Sequence, residues 1–205
     1  MSDEITLYTN PQSRGRVARW MLEEIGKPYQ TEVLDYATSM KTPEYLGINP
    51  MGKVPAIVHG KRVVTECAAI CAYLADEFPE AALNPTPEER ANYYRWLFFA
   101  AGPLEAAITN STVFGVEPDA EKQRMVGYGN YASVMNALAQ AFKSNSYVAG
   151  DRFTAADVYV GAQISWGLNF GTIESRTEFQ DYAGRVTQRQ AFRRATELDD
   201  GLIKE

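Results

Sequence analysis

Every stretch of this chain that reads as a β-strand lies ahead of Phe78, and nearly everything beyond Pro87 reads as helix, so the sequence has to fold as two unlike halves. The joint between them, "FPEAALNPTPEER", carries three prolines and few large apolar residues, which suits an inter-domain linker. The expected organisation is an α/β domain over residues 1–79, a linker over 80–87 and an all-helical domain over 88–205. With 205 residues, 45% of them hydrophobic, the chain has enough material for a real core in each half.

The first third divides cleanly. "EITLYT" alternates as a strand does, and "SRGRVARWMLEEIG" then carries Val17, Trp20, Met21 and Ile25 at helical spacing before Gly26 stops it. "PYQTEVLDY" has the β-branched and aromatic content of a second strand, and a strand, helix, strand order of this length predicts a parallel pair with a right-handed crossover. A short helix fits around Pro43 to Leu46. "PAIV" and "RVV", separated by "HGK", predict an antiparallel hairpin turned at Gly60, and Thr65 to Glu77 predicts a helix. The order is β-α-β-(α)-β-β-α. In the second half, helices are expected over Glu88 to Leu104 with a break at Gly102 and Pro103, then Pro118 to Lys143, Thr154 to Gly167, and about Phe179 to Val186 and Ala191 to Leu198. In "DRFTAADVYV", Thr154 and Asp157 form a capping box and Phe153 and Val158 are spaced as a hydrophobic staple, which predicts a buried helix start.

Composition closes off several functions. The net charge of −6 comes from 26 acidic and 20 basic residues scattered along the chain, so no basic face offers itself to a nucleic acid. No apolar run approaches the ~20 residues of a membrane span, and the acidic opening "MSDEITLYTN" is unlike a signal peptide, so a cytoplasmic location is expected. Cys67 and Cys71 lie four apart on one helix face, a poor disulfide geometry, and read as buried thiols. With His59 as the single histidine, a multi-histidine metal site is excluded and no metal is expected.

Two neighbouring motifs carry chemistry. In "GKVPAIV", Pro55 stands at the front of an apolar run and cannot donate to a ladder. A trans Pro55 would simply begin an edge strand; a cis Val54–Pro55 bond would kink the chain and turn the amide and carbonyl of Val54 outward, where a peptide-like ligand could pair with them. In "TECAA", Thr65 to Cys67 stands where the hairpin ends and a helix begins, so unsatisfied amides and the positive end of the helix dipole attract a carboxylate. Glu66 in the same turn suits an ammonium. Together they fit the head group of an α-amino acid.

An early βαβ unit, "VP" before a hairpin, an acid at the next helix start, a proline-marked linker and a helical half with "FTAAD" make the whole chain resemble the cytosolic glutathione transferase family. The resemblance implies an N-terminal thioredoxin-like domain that binds glutathione, a helical C-terminal domain that covers the electrophile, and a homodimer. It implies that Val54, beside Pro55, pairs with the cysteinyl part of glutathione and that the Glu66–Cys67 turn holds the γ-glutamyl end. Cys67 stands where the family more often has serine. Lys53 is the candidate partner for the glycyl carboxylate, with Lys41 second.

A free thiol ionises at about 8.5, so a donor or cation has to favour the thiolate. The first strand delivers it in an open α/β sheet, and "LYTNPQSRGR" offers Tyr8, Asn10, Ser13 and Arg14. Ser13 resembles the serine of the "S-R" versions of the family, a bacterial-type, serine-like branch, and is the chosen activator; Tyr8 and Arg14 are the alternatives. The aromatic-rich "NYYRWLFFAAGPL" supplies the candidate electrophile pocket through Tyr94, Phe98 and Leu104. The expected activity is a glutathione S-transferase acting on small apolar electrophiles, with glutathione as co-substrate and no other cofactor. A non-catalytic glutathione-binding or protein-interaction module, or a glutathione-dependent peroxidase, are the competing readings.

Overall fold

The computed structural model describes residues 4–203; the first three residues of the acidic opening lie outside the described residues. The chain separates into two compact units, one running to Asn84 and resuming at Gln188, the other spanning Pro85–Thr187.

The first unit is built on a four-stranded mixed sheet in the order β2-β1-β3-β4. Strand β1 (Ile5–Thr9) pairs in parallel with β2 (Tyr29–Val33), and the crossover between them is α1 (Gly15–Ile25). Strand β3 (Ala56–His59) runs antiparallel to β1 and to β4 (Arg62–Thr65), and α3 (Cys67–Glu77) follows. The short α2 (Pro43–Leu46) has proline at its first position, and its Thr42 cap accepts a hydrogen bond from the Tyr45 amide. The central strand β1 buries Ile5, Leu7 and Thr9, and α1 packs against α3 with Val17, Ala18, Met21 and Leu22 inside. The element order is the one read from the strand and helix pattern, and the architecture is the thioredoxin-like one that the family resemblance implies.

Helix α1 approaches β1 closely at its first residue. A Cβ on Gly15 would lie 1.9 Å from Thr9 Oγ1 and 2.9 Å from Ser13 Oγ, so only a residue without a side chain lets the helix begin there. Gly15→Ala is expected to force the Thr9 side chain or the helix start to move, with a loss of about 1–3 kcal/mol from overpacking. A denaturant midpoint compared with wild type measures it.

The second unit is helical, with α4 (Arg90–Phe99), α5 (Glu105–Ile108), α6 (Tyr131–Ser144), α7 (Ala155–Phe170) and α8 (Thr177–Thr187). Two sequence expectations are revised here. The chain does not break at Gly102–Pro103: it passes through a π-helical turn over Ala100–Leu104, a widening that absorbs the proline, which has no amide to give. Conversely, residues 118–130 do not join α6. Gly129 takes φ of 70°, a left-handed conformation that glycine adopts at no steric cost, and Asn130 then caps α6 by accepting from the Ser133 amide at 2.8 Å. The expected capping box is present: the Thr154 amide donates to Asp157 Oδ2 at 2.9 Å, with Phe153 and Val158 both buried.

Helix α9 (Gln190–Asp200) belongs with the first unit, although the sequence reading counted it in the helical half. It packs on α1, where Phe192 meets the Trp20 ring edge-on at 4.8 Å and the Arg19 guanidinium donates to Asp199 at 2.8 Å. Among the described residues no helix is long and apolar enough to cross a membrane.

Candidate active site

Three segments of the first unit meet at the carboxyl end of β1: the loop before α1, the loop before β3, and the corner between β4 and α3. Cys67, at the start of α3, donates its thiol to the Arg14 carbonyl at 3.6 Å, which brings that corner against the start of α1. Register does the rest: Tyr8 on β1 stands opposite Ala56, the residue after Pro55.

The loop before β3 is held from beneath. Tyr45 donates its hydroxyl to the Lys53 carbonyl at 2.6 Å, and the Asn49 amide donates to the same oxygen at 2.8 Å. Lys41 donates its ammonium to the Gly52 carbonyl at 2.8 Å. Gly52 itself sits at φ of 56°, where a Cβ would meet the Met40 carbonyl at 2.9 Å, so this position needs glycine for both conformation and space. The Val54–Pro55 bond is cis. Pro55 is buried and Val54 half-buried, and no hydrogen bond within the described chain engages the amide or the carbonyl of Val54. The Lys53 side chain is exposed.

At the next corner Glu66 adopts φ of 67°, a left-handed backbone that costs a residue with a side chain about 1–3 kcal/mol. Helix α3 then begins with no side-chain cap and no acid in its first turn. Glu66 is exposed, and Cys67 is buried at its foot. The positive end of the α3 dipole therefore opens at this corner, which the β3–β4 register sets next to the loop before Ala56.

Ser13 is half-buried in the loop before α1. Its hydroxyl donates to the Asn10 carbonyl at 2.6 Å and accepts from the Gly15 amide at 2.8 Å. Arg14 next to it is exposed. Tyr8 is half-buried, its ring 5.6 Å from that of Tyr45. The sequence candidates Ser13, Arg14, Lys53, Val54, Pro55, Glu66 and Cys67 thus fall on these three segments, Tyr8 lies on β1 beside them, and Lys41 serves the Gly52 loop. In the second unit, Tyr94 and Phe98 are exposed one turn apart on α4, whereas Leu104 is completely buried and is a core residue with no surface for a ligand. The sequence reading missed Tyr45 and Asn49; the "NP" turn signal at Asn49–Pro50 marked the place but not the bond to Lys53.

The first unit thus combines a thioredoxin-like sheet, a cis-proline loop with open backbone and a helix that starts without a side-chain cap, and a helical unit follows it in sequence. Residues 14–77 match the family model for the glutathione S-transferase N-terminal domain. The chain is 30% identical over 172 residues to glutathione S-transferase GST-4.5 of Xanthomonas campestris pv. campestris, covering 80% of this chain and 83% of that protein. It is 26% identical over 205 residues to glutathione S-transferase GstA of Escherichia coli O157:H7, covering 97% and 98%. A sphingomonad glutathione S-transferase complexed with glutathione superposes with a TM-score of 0.77 at 26% identity, over 97% of this chain and all of that one. The chain belongs to the glutathione S-transferase family and is an enzyme of the transferase class.

Proposed function

We propose that this chain binds glutathione in extended form against the loop before Pro55 and transfers its thiolate to the electrophilic carbon of a small apolar co-substrate. The observation that carries this reading is the unpaired amide and carbonyl of Val54 set beside the strained Glu66 and the uncapped start of α3. In this reading Val54 pairs with the cysteinyl residue as an added strand. The γ-glutamyl carboxylate takes the α3 amides, the ammonium takes Glu66, and Lys53 meets the glycyl carboxylate, with Lys41 second because its ammonium is already given to Gly52.

Ser13 activates the thiol. A thiolate is a stronger acceptor than the neutral Asn10 carbonyl, so the hydroxyl turns to sulfur when the anion forms, while the Gly15 amide still donates to Oγ and polarises it. The thiol proton leaves to solvent, the sulfur pair forms the new C–S bond, and the leaving group departs with its bonding pair. Ser13 stays protonated throughout. The exposed Arg14 adds a positive field. A serine-type branch, a homodimer and a cytoplasmic location complete the proposal.

Ser13→Ala is expected to lower kcat/KM for glutathione and an aryl halide by about 10²-fold, as the loss of one aimed donor does, and to move the thiol limb of the pH profile upward. Unchanged activity would transfer the role to Tyr8 or Arg14. The engagement of Ser13 with Asn10 and the thiol at Cys67 favour a second reading, a glutathione-binding module without turnover. Calorimetric binding of glutathione with no turnover of aryl halides or hydroperoxides would establish that one.

A further inference from the structure

Asn10 lies where β1 runs into the loop before α1, and its side-chain amide, side-chain oxygen and backbone carbonyl are all committed. Its side-chain amide donates to the Leu34 carbonyl at 2.8 Å, and its Oδ1 accepts from the Gln12 amide at 2.9 Å. Its backbone carbonyl accepts from the Ser13 hydroxyl at 2.6 Å and from the Ser13 amide at 3.1 Å. The first of these bonds prolongs the sheet. The β1–β2 register ends at Thr9 and Val33, the Leu34 amide then donates to the Thr9 carbonyl at 2.8 Å, and the Asn10 side chain takes the Leu34 carbonyl beyond it. A side chain thereby adds one rung to a parallel ladder and pins the stem of the loop.

The rest of the loop is tied with the same thoroughness. The Pro11 carbonyl accepts from Arg16 Nε at 2.5 Å, and the Gln12 carbonyl accepts from the Tyr36 hydroxyl at 3.1 Å. All three carbonyls between β1 and Ser13 are therefore engaged, and the one that faces the Ser13 hydroxyl is the one Asn10 fixes through its own side chain.

We infer that Asn10 is a positioning residue for thiol activation: anchored to the end of β2, it sets where the Ser13 hydroxyl waits and which acceptor it leaves when a thiolate arrives. The inference rests on the assignment of Ser13 as activator. A neutral carbonyl parks the hydroxyl without locking it, since a charged sulfur competes for the same proton with a bond roughly twice as strong. Without the Leu34 and Gln12 bonds, the peptide after Asn10 is free to turn. Oγ then loses its fixed place, and a displacement of about 1 Å at a reacting group is worth up to 10²-fold in rate.

The test is the pH profile of kcat/KM, measured on the full chain with glutathione and an aryl halide, for wild type, Asn10→Ala, Ser13→Ala and the double variant. Asn10→Ala is expected to lower kcat/KM about tenfold and to shift the thiol limb upward, in the direction of Ser13→Ala but less far. The KM for glutathione should stay within about twofold, because Val54, Glu66 and Lys53 are untouched. In the Ser13→Ala background the Asn10 substitution should add nothing. Equal losses in both backgrounds, or an unmoved pH profile in Asn10→Ala beside a moved one in Ser13→Ala, overturn the inference and leave Ser13 standing. An unmoved profile in Ser13→Ala overturns the Ser13 assignment and the inference with it. Should Asn10→Ala fail to fold, Asn10→Ser adds no charge, keeps a short acceptor for the Gln12 amide and cannot reach the Leu34 carbonyl; its profile is expected to shift the same way, and no shift overturns the inference.

Discussion

Replacing Asp157 by alanine is expected to cost the second unit about 3–5 kcal/mol, because four donors lose their acceptor inside the core at once. Asp157 is fully buried. It accepts from the Val148 amide at 2.7 Å and the Tyr182 hydroxyl at 2.8 Å through Oδ1, and from the Thr154 amide at 2.9 Å and hydroxyl at 3.1 Å through Oδ2. The residue is thus a capping-box partner that also joins the loop before α7 to α8, and alanine removes both functions. Urea unfolding followed by tyrosine and tryptophan fluorescence measures the loss; a change within 1 kcal/mol would rule out this account.

The same carboxyl carries a pH signature. Burial pushes it up to about 6, and the bonds from Val148, Thr154 and Tyr182 pull the other way without restoring the ordinary value. The folded state therefore holds the proton at pH values where the unfolded chain has lost it, between about 4 and 6. This group's contribution to stability is complete below the lower bound and is lost as pH rises through about 6. Asp157→Asn, which carries no titrating proton, is expected to flatten that part of the stability profile while destabilising less than alanine does.

Asp199→Ala is the second large effect. Arg19 and Asp199 form an ion pair in which both side chains are buried, and the guanidinium also donates to the Tyr29 and Thr31 hydroxyls. Removing the carboxylate strands a cation in the interface between α1 and α9, at a cost of about 3–5 kcal/mol. Replacing both partners by leucine or methionine of similar volume should cost far less, since the charges were taken from water to begin with. A double-mutant cycle on unfolding midpoints checks both statements; additive losses would mean that the pair is not coupled.

Periodicity and punctuation made the first unit legible. Alternation in β1, the apolar stripe of α1, the turn at Gly60 and the proline at Val54–Pro55 are all local signals, and local signals survive in a single sequence. The candidate site was legible in its backbone: the loop before Pro55 and the helix start after Glu66 announce themselves through residue types whose backbone chemistry is restricted. What escaped depends on partners far along the chain. Nothing near Asp199 says that its side chain meets Arg19, 180 residues earlier. The stripe on α9 shows that one face is apolar without showing that α1 covers it. Glu66 takes a left-handed conformation with no glycine to mark it, and Ser13 spends its proton on Asn10, a bond that its type does not reveal. Residues 118–130 went astray for the opposite reason, since Asn130 and Gly129 are local stop signals that a run of helix-forming residues on both sides outweighed.

Helix α9 imposes an order on biosynthesis. The sheet, α1 and α3 leave the ribosome first, yet the face of α1 carrying Trp20 and Arg19 stays bare until residues 188–203 have followed, more than a hundred positions later. The helical unit, contiguous in sequence, is free to mature in the interval. The nascent sheet-bearing half has to wait, half-dressed, for the helix that closes it.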